Sequence, residues 1–374
     1  GVSSVTGGAT LSGSIASANL NLASGTFSGT ATLGGTTIWS GGTLGSSGDF
    51  TIPLNGELTM SGSGVKYLDG GKLTIADKGA AEWTGGNLYL NKSGQLTIQS
   101  GGLFDIQTDA DVYNGDNYSP KVTNAGTLRK SGGTGETVIG ASSYGVAFNN
   151  TGGAIEVQSG SLELSGAASF IGGSTLTGGL VKLTKGGGTI TDTVSIVKDA
   201  TTTATLEFAE GTTSFTGTTN FTGGGSLLLS GGNWGGSDGI VNIGVPTTWS
   251  GGTIGVGYGG SGSVTLLSGN SLSLSGSGVK YLDGGKLIIA DGGAAEWTGG
   301  NLYLNKSGQV TIQSGGLFDI KTDADIYNGD NYSPKVTNAG TLRKSGGTVE
   351  TIIGASSYKV TVDNSGTIDV QTGT

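Results

Sequence analysis

The chain has 374 residues, a formal net charge of −9, and neither cysteine nor histidine. Those two absences exclude a disulfide framework, Cys- or His-ligated metal centres, and every catalytic triad or dyad that needs an imidazole. Only 12% of residues are charged, which argues against a nucleic-acid partner, because phosphate binding needs clustered Lys and Arg.

Glycine accounts for 78 of the 374 residues, about three times its usual share. Four prolines and no glycine at every third position exclude collagen. Disordered chains are highly charged and poor in β-branched residues; this one is rich in Thr, Val and Ile. No apolar run is long enough to span a bilayer, so no segment is expected to cross a membrane as a helix.

Residues 1–60 are short alternating pieces such as TATLGG, TIWSGGTL and GELTM, each closed by Gly, Ser or Asn. Alternation of this kind predicts strands, and the punctuation predicts turns. No window shows a helical period, so little or no helix is expected. The opening GVSSVTGG carries no basic or apolar signal segment.

The block 61–144 returns at 275–358 with seven differences: Thr74/Ile288, Lys78/Gly292, Leu96/Val310, Gln107/Lys321, Val112/Ile326, Gly135/Val349 and Val138/Ile352. A finer repeat lies inside this block. The W-S-G-G of 39–42 returns as W-T-G-G at 83–86, G-K-L-T-I of 71–75 as G-Q-L-T-I at 94–98, and Asn124-Ala-Gly126 as Asn150-Thr-Gly152. These spacings predict an all-β parallel β-helix (β-solenoid) with coils of about 20–27 residues, each holding two or three short strands.

The alternation continues through 155–230, with Ile155, Val157, Leu162, Leu164, Leu180 and Leu183 expected inward and Glu156, Gln158 and Glu163 outward. Beyond residue 207 the second copy begins, so the expected units are 1–207 and 208–374 of one continuous rod. A short insertion falls within GVGYGGSGSV, between Trp249 and Ser275, as a loop tolerates and a strand register does not. The end, GTIDVQTGT, matches GAIEVQSGS but stops before its LELSG continuation. The second unit is therefore expected to be incomplete, a fragment of something longer.

The most loop-like stretch is 108–120, repeated at 322–334. Asp109, Asp111 and Asp116, with Asp323, Asp325 and Asp330 in the second copy, offer oxygens suited to Ca²⁺. The D-x-D start is that of an EF-hand loop, but Tyr113 stands at the fifth position and the bidentate Glu is missing. The alternative is a polar loop protruding from a coil. Tyr113, Tyr118, Tyr327 and Tyr332 are candidate ligand contacts, since exposed aromatics in a groove stack on sugar rings; aromatic rows in a solenoid more often fill core or cover an edge. A glycan-cleaving site needs two acids about 5–9 Å apart. Asp105 with Asp109 or Asp111, and Asp69 with Asp77, are the pairs on offer. Duplication of the block argues against a single catalytic centre, and the expectation is that the protein is not an enzyme and uses no cofactor.

The phrases VTNAGTLRKSGGTGET at 122–137 and NNTGGAIEVQSGSLELSG at 149–166, echoed at 336–351 and 364–374, resemble the β-strand repeats of bacterial secreted surface proteins. These are adhesins of the filamentous-haemagglutinin and autotransporter-passenger type. The resemblance implies a parallel β-helix, export, and a place outside the cell or on its surface. The expected function is that of a structural or adhesive segment of a long surface protein or self-assembling fibre. Its partners would be copies of itself, joined end to end, and surface glycans. A carbohydrate-binding module using aromatic rows is the alternative.

Overall fold

The structure, a computed structural model, describes residues 3–45, 48–198, 201–256 and 262–374, and of Ser17 the backbone alone. Those residues form an all-β parallel solenoid without helix. They gather into two compact units, Gly1–Lys185 with Asp199–Ala204, and Gly186–Lys198 with Thr205–Thr374. Positions 257–261, in the stretch that carries the insertion, lie outside the described residues.

Three strands close each coil of the repeated block. In the first unit, face 1 stacks Lys72–Ile75, Gln95–Ile98 and Lys121–Asn124 in parallel, with Leu73 over Leu96 over Val122. Face 2 stacks Ala80–Trp83, Leu103–Ile106 and Thr127–Lys130. Face 3 stacks Lys66–Asp69, Leu88–Asn91 and Val112–Tyr113. Coil length varies along this stack. Lys72 pairs with Gln95 and Gln95 with Lys121, so the later coil is the longer. Shorter coils occur near the N-terminus, where Gly13 pairs with Ala31. The second unit repeats the arrangement, with Leu287, Val310 and Val336 in one column.

Each four-residue strand turns two side chains in and two out, as the period of two requires. Leu73, Ile75, Trp83, Leu88, Leu90, Ile98 and Phe104 are buried, and each inward column continues through the neighbouring coils. Fully burying one such side chain contributes about 1.5–3 kcal/mol. Among the residues expected inward at 155–183, Leu180 is the exception: it is only half-buried, and Val181 takes the core position. The cause is the corner at Gly178, whose φ of +83° resets the alternation. The register against Ala154–Ser165 shifts at the same place, between Val157 and Ser161.

Corners explain the short motifs. In W-T-G-G the Trp83 indole Nε1 donates to the Gly86 carbonyl at 2.8 Å, and Trp297 does the same to Gly300. The Trp thus fills the core and closes its own turn. In Asn124-Ala-Gly126, a Cβ on Gly126 would lie 2.3 Å from the Gln99 carbonyl of the coil below, so the corner admits only glycine. The buried Asn124 Nδ2 donates to Asn150 Oδ1 at 2.6 Å and to the Ala154 carbonyl at 2.9 Å, a ladder that ties one corner to the next. Asn338 and Asn364 repeat it at 2.6 Å.

Replacing Trp83 with Ala removes a core side chain and a turn closure together. Chemical unfolding followed by fluorescence should show a loss of about 3–5 kcal/mol for the first unit.

Candidate functional site

The stretch 108–120 is not a protruding loop. Tyr113 pairs with Tyr89, so Val112–Tyr113 supplies the face 3 rung of its coil. The flanking polar groups fasten this rung to its neighbours. Asn87 Oδ1 accepts from the Asp111 amide at 3.2 Å and Asn91 Oδ1 from the Gly115 amide at 3.0 Å. On the other side, Asp111 Oδ1 accepts from the Val138 amide at 2.8 Å. Asp116 Oδ2 accepts from the Lys92 amide at 2.8 Å and its Oδ1 from the Tyr118 amide at 3.2 Å. The second copy repeats these bonds through Asp325 and Asp330.

The acids proposed as metal ligands therefore face different partners. Asp109 Oδ1 accepts from the Lys130 ammonium at 2.9 Å, and Asp323 Oδ1 from Lys344 at 3.1 Å. Hydrogen bonding by Lys130 holds the Asp109 carboxyl below the usual range, against the opposing effect of burial. The Asp323 carboxyl is held low first by the Thr348 amide. Among the described residues no three acids converge in a way that could hold a metal ion.

The acids proposed as a catalytic pair are divided in the same way. Asp105 is buried, and burial alone would raise its carboxyl; hydrogen bonds from Arg129, Gln107 and Ser131 outweigh this and hold it low. Arg129 Nη2 lies 2.8 Å from its Oδ2. Asp69 ends a face 3 strand and is engaged by Lys92 Nζ at 2.5 Å, whereas Asp77 sits in the turn from face 1 to face 2. Along the outer side of face 2 the stack reads Glu82, Asp105, Arg129, Glu156, one charge per coil. The second copy adds Lys321, whose Nζ lies 2.7 Å from Glu296. In the first copy Gln107 holds that position, and Glu82 has no ion-pair partner among the described residues.

The tyrosines divide into two sets. Tyr67, Tyr89 and Tyr113 form a ladder on the outside of face 3, with ring centroids 5.3 and 4.9 Å apart and the last pair stacked at 14°. Tyr281, Tyr303 and Tyr327 form the same ladder in the second unit. In such a ladder the ring faces are spent on one another, and edges and hydroxyls look outward. The Tyr113 hydroxyl donates to Asp111 Oδ2 at 3.3 Å, and burial followed by the Asp111 charge raises its pKa. Tyr118 and Tyr332 stand apart from the ladders, 61% and 56% exposed.

Sequence reading missed the inward lysines. Lys66 and Lys280 occupy core positions and are inaccessible to solvent. The Lys66 ammonium donates to the Gly64 carbonyl at 3.1 Å and the Gly85 carbonyl at 2.8 Å, bridging two successive coils at the corner between faces 2 and 3. Burial pushes its pKa down to about 8, and that of Lys280 likewise. Further along the stack, Lys130 closes the same corner by donating to the Thr108 and Gly132 carbonyls and Thr137 Oγ1 as well as to Asp109. The signal was present in K-Y-L-D, where Lys takes the place that Leu holds in L-Y-L-N.

No protein-family model matches the chain. No curated protein matches it either. Among solved structures it is similar to a TibC-catalysed, hyper-glycosylated fragment of TibA, at 19% identity over 91% of this chain and 94% of that one, with a TM-score of 0.26.

Two outcomes follow from the charged groups. Lys66 and Lys280 have folded pKa values of about 8 against 10.5 ordinarily, so the unfolded chain binds more protons between those limits and stability rises with pH there. Urea unfolding should show this rise above about pH 8, below the range where tyrosine ordinarily ionises, and Lys66→Met with Lys280→Met should flatten it. Gln107→Lys should give Glu82 the partner that Glu296 has, adding up to about 1 kcal/mol at low salt by calorimetry.

Proposed function

We propose that the chain is a structural and adhesive segment of a bacterial extracellular surface protein, and that it is not an enzyme. One observation carries this reading. The acids that the sequence offers for catalysis or metal binding at 105–116 are bonded to the neighbouring coils, and the second copy repeats the pattern. A carboxylate held low by an Arg or Lys partner, as Asp105 and Asp109 are, is a poor general acid, a role that calls for a raised pKa. The repeat thus preserves a way of stacking coils, which suits a protein whose work is to hold and present surface.

Self-association belongs to the same reading. The rung at Thr361–Asn364 and Thr367–Val370 leaves Val362, Ile368 and Val370 exposed. In the first unit the equivalent residues Phe148, Ile155 and Val157 are buried under the next coil, where Phe148 pairs with Ala168 and Ile155 with Leu176. A following coil, of the same polypeptide or of a second copy, would bury these positions as the coil of Ala168 and Leu176 does in the first unit, and the self-association proposed is the second case.

Immunogold electron microscopy of intact, unpermeabilised source cells tests the reading. Gold on the surface or on extracellular fibres is expected; labelling that appears only after permeabilisation contradicts it. A polysaccharide turned over by the wild type and spared by Asp109→Asn with Asp323→Asn would contradict the non-enzymatic part.

A further inference from the structure

We infer that the cleft between Tyr118 and Tyr144 in the first unit is a binding site for a single hexopyranose ring of a glycan. The cleft measures about 170 Å³ and is lined by these two tyrosines with Ala147, Gly166 and Ala167 among its other walls. That is below the roughly 300–1,000 Å³ of sites that enclose a drug-sized ligand, so it takes one small ring.

Three features give the cleft its chemistry. Tyr118 and Tyr144 are 61% and 58% exposed, and neither ring packs on another aromatic among the described residues, unlike the ladder tyrosines. Much of each side chain is therefore open to solvent, and an exposed tyrosine ring can cover the C–H side of a sugar. The hydroxyls of Tyr118, Tyr144 and Ser119 have no protein hydrogen-bond partner among the described residues, which leaves donors and acceptors for sugar hydroxyls. Glycine lets two coils meet closely in the wall: a Cβ on Gly166 would lie 2.2 Å from the Val146 carbonyl. A phenyl group would use the rings but leave the hydroxyls unanswered, and a free anion would find no cation among the lining residues.

The cleft is also held in shape before any ligand arrives. The buried Asn114 Nδ2 donates to the Tyr118 carbonyl and to the Gly145 carbonyl, both at 3.0 Å, pinning the two walls together. Asp116 Oδ1 fixes the Tyr118 amide. Walls set in advance reduce the ordering cost of binding. The second copy keeps the clamp, with Asn328 donating to Tyr332 and Lys359, but Lys359 and Thr361 replace the two lining residues Gly145 and Ala147. The site is therefore assigned to the first unit.

This deepens the adhesive part of the function proposed above, and the two can fail separately, since surface labelling does not depend on sugar binding. The test is saturation-transfer NMR on the whole chain with the methyl glycosides of glucose, galactose and mannose, and with N-acetylphenylalaninamide as an aromatic probe. Transfer to the ring C–H protons of at least one glycoside is expected. It should weaken at least fivefold in Tyr118→Ala with Tyr144→Ala and persist in Tyr332→Ala with Tyr358→Ala. All four side chains are exposed, so unchanged thermal unfolding confirms that the variants fold. Transfer to no glycoside, transfer indifferent to the first pair of substitutions, or transfer to the aromatic probe alone overturns the assignment.

Discussion

A strand in this protein has no partner in its own coil; its hydrogen bonds run to the coil before and the coil after. Every other property follows from that constraint. A coil buries its inward side chains against one another, as Phe208, Phe215 and Phe221 do, and against the matching positions of its neighbours, so the same position is kept apolar coil after coil. Leu73, Leu96 and Val122 are one such column, and Ala81, Phe104 and Leu128 another. A change of coil length is tolerated at a corner: the coil that leads from Gln95 to Lys121 is longer than the one from Lys72 to Gln95, and neither strand is disturbed.

Stacking also brings like groups together, and the protein manages this in three ways. Outward charges alternate where they can, so that Arg129 sits between Asp105 and Glu156. Outward tyrosines stack face to face. The inward lysines Lys66, Lys130 and Lys280 and the inward Asn124 sit at strand ends beside corners, where backbone carbonyls are already present. A buried ammonium there meets acceptors from two coils at once, as Lys66 does, and the buried Asn124 amide reaches two acceptors of the next coil. An unpaired buried charge is costly; the carbonyls and the protonation change of Lys66 offset part of that cost.

Strands and their parallel stacking were legible in the sequence because the period of two and the recurrence at coil length are both local patterns. The W-x-G-G and Asn-x-Gly motifs were legible as the repeat that sets the coil length; that they close corners, and by which bonds, needed coordinates. Phase across a corner was not legible: Leu180 reads as inward from alternation alone, yet Gly178 resets the count and Val181 is buried. The Asp-rich stretch misled because its composition is that of a loop. The cue that it holds a rung was the recurrence of tyrosine at 67, 89 and 113. The tyrosine cleft joins residues from three successive coils, Tyr118, Tyr144 and Gly166, and the side chain of Tyr144 carried no signal of its own.

The parallel register is directly measurable, because the chain has no native cysteine. Thr97 and Thr123 are partners on adjacent rungs of face 1, and both point outward. Cysteines at these two positions should form an intramolecular disulfide under mild oxidation, because paired rungs lie about 4.8 Å apart, within the reach of the bond. Cysteines at Thr97 and Arg129, on different faces, should not. Failure of the first pair to close, or equally rapid closure of the second, would contradict the coil stack described.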